Sequence, residues 1–179
     1  MSNLPCRTQK LARFLRLCCF AAMAGVLAVA VYVSIAPDRF VAEAARAMMP
    51  GTEVWDVGNA ATLLLYLVAA VNLGIVLFVL WQVARLTGCY GTGDALSSAS
   101  ADAIRWIGLG LLTKAVIGVL DDTATGLILS IDAPSGQGML VISFGSTDIW
   151  FALAGGLMLL IGLVMLQAVD VAEDNRGFV

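Results

Sequence analysis

The chain contains no histidine and no CxxC pair, and only 13% of its 179 residues are charged. Without an imidazole, the commonest proton shuttle and the commonest nitrogen ligand for a metal are both missing. A thiolate–imidazole metal site is thereby excluded, and the four cysteines (Cys6, Cys18, Cys19 and Cys89) are too scattered to form a metal knuckle. Soluble domains carry about a quarter charged residues, roughly twice the share here. Long polar connections are lacking as well, so no separate soluble domain fits between the apolar runs. What the chain has in quantity is hydrocarbon: 60% of the residues are hydrophobic, and the mean hydropathy is +0.93.

That hydrocarbon is gathered into four runs, residues 17–36, 60–83, 104–120 and 149–169. Each approaches or exceeds the roughly 17–25 residues needed to cross a bilayer as a helix. The expected fold is an all-α integral membrane protein, one membrane domain over residues 1–179 with four transmembrane helices. Outer loops cover 37–59 and 121–148, and an inner connection covers 84–103. Orientation follows from the bases, which are retained on the cytoplasmic side. Arg7, Lys10, Arg13 and Arg16 precede the first span with no acid among them, whereas the third loop holds Asp121, Asp122, Asp132 and Asp148 with no base. Both termini are therefore expected in the cytoplasm. Trp81 and Trp106 then fall at inner span ends and Trp55 and Trp150 at outer ones, as an aromatic belt requires. Both outer loops lack cysteine, which argues against a disulfide framework. The first span exceeds the roughly 7–15 apolar residues of a signal peptide and is followed by Pro37, so it reads as a retained anchor.

Between the spans, Pro37 and Asp38 start a pattern in which Phe40, Val41, Ala44, Ala45 and Met48 recur at helical spacing until Pro50-Gly51. This predicts a short amphipathic helix lying on the outer surface. In the inner connection, Gly91-Thr92-Gly93 lacks the spacing and the lysine of a phosphate loop. Ser97 or Ser98 is instead expected to cap the helix entering span three, with Asp102 near its positive end. In the third loop, residues 126–131 and 139–144 are short apolar runs around the turn-rich Asp132-Ala-Pro-Ser-Gly-Gln-Gly138. They predict an outer β-hairpin.

Lys114 is the one charge well inside a span. The nine Leu, Ile and Val residues of 104–120 supply about −4 kcal/mol of insertion free energy, and a central lysine costs about 3. Span three is therefore marginal alone. Lys114 with Asn72 of span two is a candidate intramembrane polar site for an ion or proton pathway. The structural alternative lets its stem snorkel about 9 Å towards Asp121 and Asp122. Small residues, namely Ala21, Gly25 and Ala28, Gly108 and Gly110, and Ala152, Gly155, Gly156 and Gly162, are expected to form close helix contacts. They suit internal packing, and would equally suit a homo-oligomer face or a subunit role in a larger complex.

The stretch from Leu80-Trp-Gln-Val-Ala-Arg85 through Gly88, Gly91 and Leu96-Ser97 to Ala103-Ile-Arg-Trp-Ile-Gly108 resembles the bacterial four-span membrane family catalogued as domain of unknown function 2975. The end, Ala172-Glu-Asp-Asn-Arg-Gly-Phe-Val179, is similar to that family's terminus, while Asp94-Ala95-Leu96 departs from its more acidic, aromatic inner turn. The resemblance implies a four-helix protein of the bacterial inner membrane with no assigned activity. Some relatives look like partners of small helix-turn-helix regulators, which implies a sensory or sequestering role.

No catalytic constellation and no cofactor motif is present. The expectation is a non-enzymatic regulator or accessory subunit, embedded in the lipid bilayer and not binding nucleic acid directly. It would present Glu173, Asp174, Asn175, Arg176 and Phe178 of its tail to a protein partner, either a membrane complex or a cytoplasmic regulator. The alternative is a small channel or transporter built around Lys114 and Asn72.

Overall fold

A computed structural model describes residues 6–35, 37–48, 58–92, 97–131 and 145–176. They form five helices: α1 (Cys6–Ile35), α2 (Pro37–Met48), α3 (Asn59–Thr92), α4 (Ser98–Ile131) and α5 (Ser146–Arg176). Four contain stretches long and apolar enough to cross a membrane, Lys10–Ile35, Asn59–Gly91, Ser98–Ser130 and Ser146–Ala172. The chain is a multi-pass membrane protein. A 33-residue stretch rises about 50 Å against roughly 30 Å of hydrocarbon, so these helices continue past the lipid core.

The long helices stand in a row. α1 packs on α3, α3 on α4 and α4 on α5, whereas among the described residues α1 touches neither α4 nor α5, and α3 does not touch α5. Neighbours run antiparallel: the Tyr66 hydroxyl of α3 donates to the Val33 carbonyl of α1 at 2.9 Å, while Arg16 of α1 lies against Gly88 near the other end of α3. Helices in lipid gain nothing by hiding apolar surface from lipid tails, so close packing decides which faces meet. The α4–α5 seam shows this most directly. A Cβ at Gly155 would stand 2.8 Å from Leu112 N, and one at Gly162 would stand 2.7 Å from Arg105 N, so backbone meets backbone. Two turns separate those glycines, which puts both on one face of α5.

The expected contacts of α1 are different in the structure. Its buried residues are Ala12 and Cys19, with Met23, Val26, Ala30 and Val33 continuing the same stripe half-buried. Ala21, Gly25 and Ala28 are exposed, and a Cβ at Gly25 would meet nothing within 4 Å. Small size permits close approach, but the seam went to the stripe that interlocks with α3. Gly156 likewise faces open space, while Gly108 and Gly110 are packed as expected.

α2 follows its predicted boundaries. Val41 joins Ala61 and Leu65 of α3 and Ile128 and Leu129 of α4 in a buried cluster, with Phe40 and Val68 against it. The Phe40 and Tyr66 rings stack with centroids 5.1 Å apart. That cluster explains the main correction to the sequence reading. Residues 126–131, expected as the first strand of an outer hairpin, are the last turns of α4, and among the described residues there is no strand. Ile128 and Leu129 are adjacent and both buried, which a half-exposed strand cannot arrange because successive side chains point to opposite faces. The second predicted strand, residues 139–144, lies outside the described residues. The same helical extension moves Asp121 and Asp122 from the predicted loop into α4.

Helix starts are fixed locally. The Ser97 side chain accepts from the Ser100 N–H at 3.3 Å, so of the two serines expected as the cap of α4 it is Ser97 that serves. Asp102 pairs instead with Arg105 one turn on, at 3.6 Å. At α5, the Asp148 carboxylate reaches back to the Gly145 N–H at 3.2 Å.

Candidate functional site

Three polar side chains of the long helices, Asn72, Lys114 and Asp121, meet between α3 and α4. Asn72 is a poor choice for a lipid-facing position, since an amide without partners in hydrocarbon costs several kcal/mol, roughly 2–7. Its register on α3 turns it towards α4 instead, half-buried. Its Nδ2 donates to Asp121 Oδ2 at 2.8 Å and also reaches the Val68 carbonyl of its own helix at 3.4 Å. Its Oδ1 accepts from Lys114 Nζ. Lys114 and Asp121 are seven residues apart on α4, two turns along one face, and the amide bridges them.

The result is a chain of ammonium, amide and carboxylate whose charges cancel. Both hydrogen-bonding ends of the amide are used, and each charge has an oppositely charged group at the far side of Asn72. Such mutual satisfaction is what intramembrane ionisable residues require. Lys114 thus reaches Asn72 rather than an aspartate directly. Asp122, the fourth residue of the predicted cluster, sits about 100° round the helix from Asp121 and takes no part in this hydrogen-bonded chain. A cavity of about 140 Å³ adjoins it, with Val68, Val71 and Ile117 as apolar walls beside Asn72 and Asp121.

A larger groove of about 610 Å³ runs between α1 and α3, lined by Gly25, Val29, Ala69, Ala70, Leu73 and their neighbours. Its two hydroxyls are already engaged with backbone, Tyr66 with Val33 O and Ser34 with Ala30 O, each at 2.9 Å. The wall is therefore apolar and suits a hydrocarbon chain.

Two polar features were not anticipated. Gln82 of α3 is 3% exposed and its Oε1 has no hydrogen-bond partner among the described residues. Near it in sequence, Thr87 is also buried and bonds the Ala84 carbonyl at 2.9 Å. A glutamine beside Trp81 at a span end reads as interfacial in sequence, and only the packing of α3 against its neighbours removes it from solvent. Among the described residues no three Cys, Asp or Glu side chains are grouped to hold a metal. Of the predicted partner-binding tail, Glu173, Asp174, Asn175 and Arg176 fall in the last turns of α5, and Phe178 lies outside the described residues.

Comparison with known proteins yields one finding. A family model described as protein of unknown function, DUF2975, matches residues 8–176, which takes in all five helices except the first two residues of α1. No curated protein and no solved structure matches the chain.

Proposed function

We propose that this chain, which belongs to the DUF2975 family of proteins of unknown function, is a non-enzymatic regulator or accessory subunit of a bacterial cytoplasmic membrane, with both termini in the cytoplasm. The observation that carries the reading is the open row. α1 and α5 each pack on a single long neighbour and leave a whole helix side free. Two edge helices that each end the packing leave room for another protein surface, where close packing could add to the row. The chemistry agrees: no histidine is present, and the intramembrane charges are spent on one another through Asn72. The partner would be met by the membrane edges and by the tail from Glu173 to Val179.

A pulldown of the tagged protein in native nanodiscs, with mass spectrometry of the captured material, tests this. A stoichiometric protein that is lost on deletion of residues 173–179, while the helices keep their thermal transition, is the expected result. Recovery of no protein from either form would overturn the reading.

The transport alternative has its own supporting observation, the meeting of Lys114, Asn72 and Asp121 beside a cavity of about 140 Å³. Ion flux into liposomes that Lys114→Ala abolishes would favour it. Vesicles as tight as protein-free ones would dismiss it.

A further inference from the structure

The groove of about 610 Å³ between α1 and α3 exists because its walls are built from small residues, Ala22, Gly25 and Ala30 on one side and Ala69 and Ala70 on the other. A Cβ at Gly25 would meet nothing within 4 Å. From Ala22 to Ser34 the groove is about 18 Å long by helix rise, close to the roughly 15 Å depth of a single leaflet. Ala22 stands near the middle of the apolar stretch Lys10–Ile35, and Phe40 of α2 closes the other end, beyond that stretch. The groove therefore runs from mid-bilayer to the surface on the α2 side.

Its width narrows the choice of occupant. Spread over about 18 Å, the volume is a furrow roughly 6–7 Å across. An α-helix with its side chains measures about 10–12 Å and does not fit. A bound water needs two to four polar partners, and the Tyr66 and Ser34 hydroxyls are already donated to backbone carbonyls. An acyl chain matches the furrow in length, width and polarity.

A cation stands at the α2 end. Gly25, Val29 and Tyr32 recur at i, i+4 and i+7, so Tyr32 continues the α1 wall beyond the groove. Arg39 Nη1 donates to Tyr32 Oη at 3.3 Å, which holds an exposed guanidinium over that end. The fork of a guanidinium carries five N–H donors in a geometry that suits phosphate oxygens, and the tyrosine uses one side of it. Among the described residues Arg39 has no ion-pair partner, and Glu43, one turn further along α2, is exposed and not paired with it.

We propose that the α1–α3 groove binds one membrane phospholipid in the leaflet on the α2 side, with an acyl chain along Gly25, Val29 and Ala70 and the phosphate on Arg39. The furrow alone would accept any hydrocarbon chain. The guanidinium at its polar end selects one that carries a phosphate. This goes beyond the interaction reading and does not depend on a protein partner.

Native mass spectrometry of the protein purified in mild detergent tests it, by counting retained phospholipid; one per chain is expected. Gly25→Leu with Ala70→Leu fills the furrow from both walls, at one position with open space and one that is exposed, and retention should fall several-fold. Gly156→Leu, equally open but on α5, should leave it unchanged. Arg39→Gln should weaken retention of added phosphatidylglycerol several-fold and abolish its advantage over diacylglycerol, which lacks the phosphate, and Arg39→Lys should restore part of it. Phosphatidylglycerol should also raise the thermal transition of the wild type and not that of the filled variant, whose own transition without lipid shows that it folds. Retention that survives filling, an equal loss in Gly156→Leu, or no retained lipid in any form would overturn the proposal. Indifference to Arg39→Gln would overturn it too, by removing the phosphate from the site. So would a photoreactive residue at position 25 that cross-links in native membranes to a protein, a second copy included, rather than to lipid.

Discussion

Gly155 and Gly156 are neighbours on α5 with opposite surroundings, and replacing each by alanine isolates the contribution of the α4–α5 seam. At Gly155 the new Cβ would stand 2.8 Å from Leu112 N, 2.9 Å from Gly108 O and 3.0 Å from Leu112 Cγ. Unstrained contacts to carbon lie at roughly 3.5–4.0 Å, so the helices must part by something on the order of half an ångström or more. Backbone atoms cannot swing aside as a side chain can. Overpacking of this kind costs about 1–3 kcal/mol. At Gly156 nothing lies within 4 Å, and only the gain in helix propensity applies, up to about 1 kcal/mol. That gain is common to both variants and cancels in their difference. Gly155→Ala should therefore be about 1–3 kcal/mol less stable than Gly156→Ala, the strain alone. Reversible unfolding in mixed micelles, or steric trapping in bicelles, reads the difference. Equal stabilities for the two variants would mean that α4 and α5 are not in backbone contact, and the row would need to be redrawn.

Other outcomes follow from the same contacts. Lys114→Met removes the donor to Asn72 and leaves Asp121 without its counter-charge, so it should destabilise, while Lys114→Met with Asp121→Asn should recover much of the loss. The cycle should give a coupling of about 0.5–3 kcal/mol, and strict additivity would show that Asn72 does not link the two. Leu129→Ala empties a fully buried position under α2, at a cost of about 2–5 kcal/mol. Hydrogen exchange should rise across Pro37–Met48 and stay unchanged at the Gly155 seam, and an α2 that keeps its protection would refute its docking on α4.

Much of the architecture was legible because it depends on short-range rules. Spans announce themselves by hydropathy, α2 by Pro37 and its amphipathic spacing, and the start of α4 by the pair Ser97-Ser98, of which Ser97 satisfies an N–H of the first turn. Residues 126–131 misled for a physical reason. Leucine and isoleucine runs of six residues fit a strand or a helix equally well, and what made this one helical is a cluster drawn from α2 and α3. The small residues of α1 misled in another way. Ala21, Gly25 and Ala28 permit a close contact without specifying which helix supplies it, and α3 took the opposite stripe.

The candidate site divides along the same line. Lys114 and Asn72 were conspicuous as polar residues in apolar runs, but Asp121 looked like a loop acid until α4 was seen to run eleven residues beyond Leu120. Composition and hydropathy were sufficient to commit four segments to lipid as helices, since a backbone in hydrocarbon must satisfy its own hydrogen bonds. They could not order the helices into a row, choose which glycines carry the seam, or bring Lys114 and Asp121 to opposite ends of one amide. Those outcomes depend on how side chains of different helices interlock, and in lipid, where apolar surface gains nothing by hiding, that interlocking is visible only once the chain has folded.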